Sequence, residues 1–228
     1  MEYRWLGRVP YGEAEALQEE LVRQVLASGG ERGFLLALEH PHVVTLGRCA
    51  RPEHLLLSRQ RLEEMGVEVR QARRGGDITW HGPGQVVLYP ILPLFRLKPD
   101  LHWYLRTLEE AGMRTLAAYG LAAGRKKGLT GVWVGEKKVM AIGVAVRHWV
   151  SFHGAALNVA GPLEGFRWIV PCGIRGKGVT SIERETGRRP APAGVARTFA
   201  RELARAAGFL LEEAAEEVGK WSAGHPGW

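Results

Sequence analysis

The sequence predicts one α/β (α+β) domain, a mixed β-sheet flanked by helices. Helical periodicity lies towards both ends of the chain, and strand-length apolar runs cluster between them. Strict βαβ alternation is absent, which excludes a dinucleotide-binding fold. The glycines agree: Gly75, Gly76, Gly82 and Gly84 make no G-x-G-x-x-G, and no G-x-x-x-x-G-K-[ST] occurs.

The first helix is predicted over Gly12–Ser28, with Ala14, Leu17, Leu21 and Val25 on one face and Gly29-Gly30 as its stop. Phe34–Leu38 and Val43–Leu46 read as strands separated by a turn at Pro41, and His40 and His42 are expected in solvent on that turn. Ser58–Met65 is a short helix and Val67–Arg70 a strand. Next comes Arg73-Arg-Gly-Gly-Asp-Ile-Thr-Trp-His-Gly-Pro-Gly-Gln85, followed by the apolar strand Val86–Leu92. Glycine lets a ligand approach the main chain, so this stretch is a candidate wall of a site as well as a candidate turn. Asp100 is the predicted N-cap of a helix to about Tyr119, with Leu101, Leu105, Leu108 and Leu116 as its apolar positions. Strands follow over Gly131–Val134, Lys138–Val146 and Ser151–Val159, then a helix over Ala193–Gly208. Residues 219–228 carry structure breakers and read as a loosely held tail, leaving 1–218 as the domain.

At 228 residues the chain is long enough for one sizeable core, and 46% hydrophobic with 24% charged residues is the balance of a soluble globular protein. No apolar run is long enough to span a bilayer and the N-terminus lacks a signal-peptide core, so a cytoplasmic location with no membrane partner is expected. Cys49 and Cys172 form no C-x-x-C, and no clustered spacing suggests a metal site. Both are expected as free thiols. The net charge of +7 favours acidic partners, but the basic residues are scattered and make no nucleic-acid tail.

Four features carry chemistry. Cys172 stands between Pro171 and Gly173, a setting that frees space beside a thiol, whereas Cys49 has equal local appeal. Lys138 opens an apolar strand and shares a face with Met140 and Ile142; burial there would suit it to acid–base work, with Lys137 as the competitor on the opposite face. His81 and His153 sit in glycine-containing segments, His153 reading first as a satisfied core histidine. The small residues Ala141-Ile142-Gly143 and Gly154-Ala155-Ala156 fit either a narrow acyl slot or close packing.

Taken together, Arg74–Gln85, Lys138-Val-Met-Ala-Ile-Gly143, Phe152-His-Gly-Ala-Ala-Leu-Asn158 and Pro171-Cys-Gly-Ile174 strongly resemble the lipoyl(octanoyl) transferase family of lipoate biosynthesis. Glu39-His-Pro41, Thr45-Leu-Gly-Arg48 and Val179-Thr-Ser-Ile182 also fit, over roughly residues 5 to 205. The resemblance implies a fold similar to the catalytic domain of biotin and lipoate protein ligases. It implies transfer of an octanoyl group from acyl carrier protein to a lysine of lipoyl domains, in 2-oxoacid dehydrogenase complexes and the glycine cleavage H protein, without ATP or other cofactor and without a metal. It places the acyl-accepting cysteine at Cys172 and its lysine at Lys138. Substrate contacts fall on Arg74, Gly75, Gly76, Asp77, Ile78, Thr79, Trp80, His81, Ala141, Ile142, Gly143, Gly154, Ala155 and Ala156, with His153 in support. Backbone N–H groups near Cys172 or in the Gly75-Gly76 loop are candidate oxyanion donors, and the sequence does not choose between them. Trp80 stands where the family more often has tyrosine. The alternative on the same fold is an ATP-dependent lipoate or biotin ligase.

Overall fold

A computed structural model describes residues 1–174 and 176–213; the predicted tail, 219–228, lies outside the described residues. The elements are β1 (Glu2–Arg8), α1 (Tyr11–Ala27), β2 (Phe34–Glu39), β3 (Val43–Leu46), α2 (Arg59–Glu64), β4 (Glu68–Gln71), β5 (Ile78–His81), β6 (Gln85–Ile91), α3 (Leu94–Leu97), α4 (Leu101–Ala118), β7 (Gly124–Lys126), β8 (Leu129–Val134), β9 (Lys137–Arg147), β10 (Val150–Asn158), β11 (Gly178–Val179), α5 (Ile182–Thr186), α6 (Pro192–Ala207) and β12 (Glu212–Glu213).

Among the described residues the large sheet has the order β12-β1-β2-β6-β10-β9-β8-β7, and β11 pairs with the start of β9. It is mixed, as predicted: β1 runs parallel to β2, while β2, β6, β10, β9 and β8 alternate antiparallel. Alternation along β2 explains its unbroken apolar run. Leu35 and Ala37 enter the core under α4 and α6, and Phe34, Leu36 and Leu38 enter the core under α1. On α6, Val195, Phe199 and Leu203 are wholly buried at four-residue steps; each such side chain contributes about 1.5–3 kcal/mol by leaving water. Asp100 caps α4, its Oδ1 accepting from Trp103 N at 3.0 Å.

A second sheet, β4-β3-β5, packs on its own core of Val44, Leu62, Ile78, Trp80 and Phe166. Pro41 therefore divides two sheets. This overturns the expectation for the two histidines beside it. His40 is wholly buried, its Nδ1–H donating to Val9 O (2.6 Å) and its Nε2 accepting from Tyr89 O–H (2.8 Å), because β2 carries it between the sheets. His42 is half-buried, its ring 5.7 Å from that of Trp80.

Candidate active site

The glycine-rich stretch leaves β4, crosses to the large sheet and returns as β5. Its anchor is Gly75 N–H, which donates to Val144 O of β9 at 2.9 Å. The approach is so close that a methyl on Gly143 would lie 2.9 Å from Gly75 O and 3.2 Å from Arg74 Cδ. Arg74 is thereby buried, 8% exposed. Its guanidinium is held by Thr45, with Nη2 donating to Thr45 O (2.7 Å) and Oγ1 (2.8 Å), and Nε to the same Oγ1 (3.1 Å). No carboxylate pairs with it among the described residues. Burial pushes its pKa down, and the nearby Cys172 sulfur opposes that shift.

Cys172 lies in a short 3-10 turn, Pro171–Gly173, with left-handed φ 55° and ψ 21°. A non-glycine residue there is held in a sparsely populated conformation. The turn is anchored on one side by Val170 N–H donating to His54 O at 2.8 Å. Lys138 is buried where β9 is flanked by β8 and β11, paired with Trp133 and Val179, its Nζ 5.0 Å from the Trp133 ring centre. Lys137 points outward, beside Glu185 at 3.4 Å. Strand alternation separates the two lysines.

One cavity of about 370 Å³ joins these parts. Cys172, Lys138, Arg74, Gly75, Gly76, Asp77, Thr79, His81, Ala141, Ile142, Gly143, His153, Gly154, Ala155 and Ala156 all line it. Ile78 and Trp80 do not, which corrects their expected place. The stretch holding them is a strand, so alternate residues point away; Trp80 packs edge-on against Phe166 with ring centres 5.2 Å apart. Among the candidate oxyanion donors, Gly75 N–H is spent on Val144, and the Gly173 and Ile174 N–H groups donate to Val170 O and Pro171 O, which leaves the Gly76 and Cys172 N–H groups as the candidates.

The cavity also has polar walls that sequence reasoning missed, Tyr11 and Tyr89. Tyr11 would have been found by extending the apolar stripe of α1 one turn back. Buried imidazoles surround them. Desolvation first, then neighbouring cations or histidines, lowers His81 and His153 to about 3, and desolvation lowers His40 to about 4. All three are neutral at pH 7. His153 is not a satisfied core histidine: its Nε2 is buried with no partner among the described residues. His81 heads a hydrogen-bond chain in which its Nδ1–H donates to Gln85 Oε1 (2.7 Å), Gln85 Nε2 to Asn158 Oδ1 (2.9 Å), Asn158 Nδ2 to Thr180 O (2.9 Å) and Thr180 N to Lys138 O (2.9 Å). Three separated motifs thus form one buried network that ends on the lysine's own backbone.

The chain falls in one class of domain, that of the lipoyl protein ligase A/B catalytic domains. A family model described as the lipoyl protein ligase A/B catalytic domain matches residues 10–204. The fold is similar to the crystal structure of lipoate-protein ligase A bound with ATP (TM-score 0.73, 19% identity, covering 95% of this chain and 90% of that one). It is more distantly similar to biotin protein ligase from Aquifex aeolicus (TM-score 0.52, 14% identity, covering 90% and 68%). A protein of Solibacter usitatus named octanoyltransferase is 48% identical over 208 residues, 91% of this chain and 93% of that one. The chain belongs to the octanoyltransferase family within the lipoyl protein ligase A/B group, and it is an acyltransferase.

Proposed function

We propose that the protein transfers an octanoyl group from octanoyl-acyl carrier protein to one lysine of a lipoyl domain, through a thioester on Cys172. The observation that carries this reading is that Cys172 and Lys138 line one cavity whose intervening wall is Ala141, Gly143, Ala155 and Ala156. Lys138 takes the Cys172 proton, and the thiolate attacks the carrier thioester. The carrier leaves as a thiol, taking a proton from Lys138. The acceptor amine then displaces Cys172, with Lys138 accepting a proton from it. Thioester exchange is nearly isoenergetic and amide formation is downhill, so the cycle needs no ATP. Arg74, buried without a carboxylate, is the charge best placed to support the sulfur anion. The +7 surface suits an acidic carrier, and acceptors would be lipoyl domains of 2-oxoacid dehydrogenase complexes and the glycine cleavage H protein, in the cytoplasm.

Intact mass after mixing with octanoyl-acyl carrier protein, without ATP, tests this. The expected result is an octanoyl adduct on the wild type and on Cys49→Ser, absent from Cys172→Ser, and discharged by a lipoyl domain. No adduct on any of the three, with lipoyl-domain modification only when ATP and free octanoate are supplied, would replace the reading with a ligase.

A further inference from the structure

Cys172 borders two spaces. Besides the inner cavity it shares with Lys138, it lines an adjoining hollow of about 440 Å³ with Cys49, Arg51, His54, Gly76, Asp77 and Gly173. His54 and Asp77 are both buried here, and His54 Nδ1 lies 2.5 Å from Asp77 Oδ2. Asp77 is fixed in turn: its Oδ1 accepts from Ile78 N (2.8 Å) and Arg51 N (3.1 Å). Nδ1–H therefore donates to the carboxylate, which assigns the lone pair of the neutral ring to Nε2. The Nδ1–Cε1 edge of the ring packs on the cysteine turn, since a methyl on Gly173 would sit 3.1 Å from His54 Cε1, 3.4 Å from His54 Nδ1 and 2.6 Å from Asp77 Oδ2, and His54 lines the same hollow as Cys172. No other residue offers a histidine–carboxylate pair beside Cys172 among the described residues.

Proton balance gives this pair a task, if the transfer proposed above is right. An acceptor lysine arrives as an ammonium with three protons and leaves as an amide with one. The Nζ–C bond forms, the C–S bond breaks, and the electron pair goes to sulfur. One of the two shed protons restores the Cys172 thiol. The other must leave the site, and on Lys138 it would block the next cycle. We infer that His54, oriented by Asp77, is the base on the outer side of Cys172, taking that second proton from the acceptor amine through Nε2 and passing it to solvent. Asp77 is its positioning residue. The ionisable and charged groups facing His54 are Asp77, Arg51, Cys49 and Cys172.

The test separates the two half-reactions in single turnovers, with octanoyl-acyl carrier protein as donor and a lipoyl domain as acceptor. For His54→Gln, acylation of Cys172 is expected to change little, while discharge to the lipoyl domain at pH 7 falls by about 100-fold, the scale of one general base. The loss should shrink towards pH 10, where the acceptor lysine, with an ordinary pKa of about 10.4, arrives partly neutral. Asp77→Asn keeps an oxygen for the two N–H groups but donates to Nδ1, forcing the wrong tautomer. Its discharge step should show the same pH-dependent loss in a folded protein, whatever its effect on loading the cavity it also lines. Equal slowing of both half-reactions by His54→Gln, or a loss that does not change with pH, overturns the inference in favour of a structural role. Failure of the wild type to acylate overturns the transfer mechanism itself.

Discussion

Arg74 shows how single residues make the site. A buried guanidinium without a carboxylate is stable only if its N–H groups find acceptors, and Thr45 supplies three of the contacts, two of them through Oγ1. Thr45→Val preserves shape and removes that oxygen. It should lower stability by about 1–3 kcal/mol, a fall of several degrees in Tm for a chain of this size. Octanoyl loading of Cys172 should fall further than stability alone explains. Thr45→Ser should restore both; a valine variant with unchanged Tm would show that the hydroxyl does not hold the arginine. At this scale the sequence was only partly legible. The chemistry of Cys172 and Lys138 could not be told from that of Cys49 and Lys137 locally, and only the series of motifs chose between them. His54 was invisible, because its partner Asp77 lies 23 residues away and no spacing links them.

Elements were easier to read than residues, and the exceptions have one cause. Helices α4 and α6 show their apolar faces in their own periodicity, and β6, β9 and β10 announce themselves as apolar runs. By contrast, β5 is hidden in Ile78-Thr-Trp-His81 among glycines, and its alternation decides which residues reach the cavity. The strand β1 escaped notice because its pattern is half-exposed and polar. Attachments between elements leave no periodic trace. Glu109 of α4 is an example: its buried carboxylate accepts from Gly131 N (3.1 Å), Arg106 Nη1 (2.6 Å) and Arg125 Nε (2.9 Å), tying the helix to β8. Gly131 in turn backs the Lys138 stem, where a methyl would lie 3.4 Å from Lys138 Cε. Glu109→Ala should cost about 1–3 kcal/mol, chiefly by stranding the buried Gly131 donor, since the side chains of Arg106 and Arg125 reach solvent (57% and 36% exposed). Chemical denaturation should show a smaller loss for Glu109→Gln. Octanoyl transfer by the alanine variant, assayed where it is fully folded, should still be reduced because β8 no longer fixes the lysine. Normal transfer at normal stability would refute the tie.

For the whole molecule, the polar cluster between the two sheets sets a limit on acid stability. His40, His81 and His153 have folded-state pKa values of about 4, 3 and 3, all lowered mainly by desolvation. A histidine kept neutral by folding binds no proton in the native state but takes one up when the chain unfolds. Its contribution is therefore complete above about pH 6.5, the unfolded value, and is lost as pH falls towards the folded value. At pH 5 each group has given up roughly 2 kcal/mol, and the three together about 6 kcal/mol, a large share of the 5–15 kcal/mol typical of a domain. The carboxylates whose pKa is lowered, Glu20, Asp100, Glu110, Glu136 and Glu185, act only below about pH 4.5, so they do not obscure this window. Urea denaturation between pH 7 and 5 should show stability falling with an uptake of close to three protons on unfolding near pH 5.5. An uptake below one proton would mean that the imidazoles charge in the folded state, and the cavity wall would then be cationic rather than neutral at mildly acidic pH. Because His81 and His153 also line the cavity that holds Cys172 and Lys138, this titration reports on the fold and on the environment of the site together.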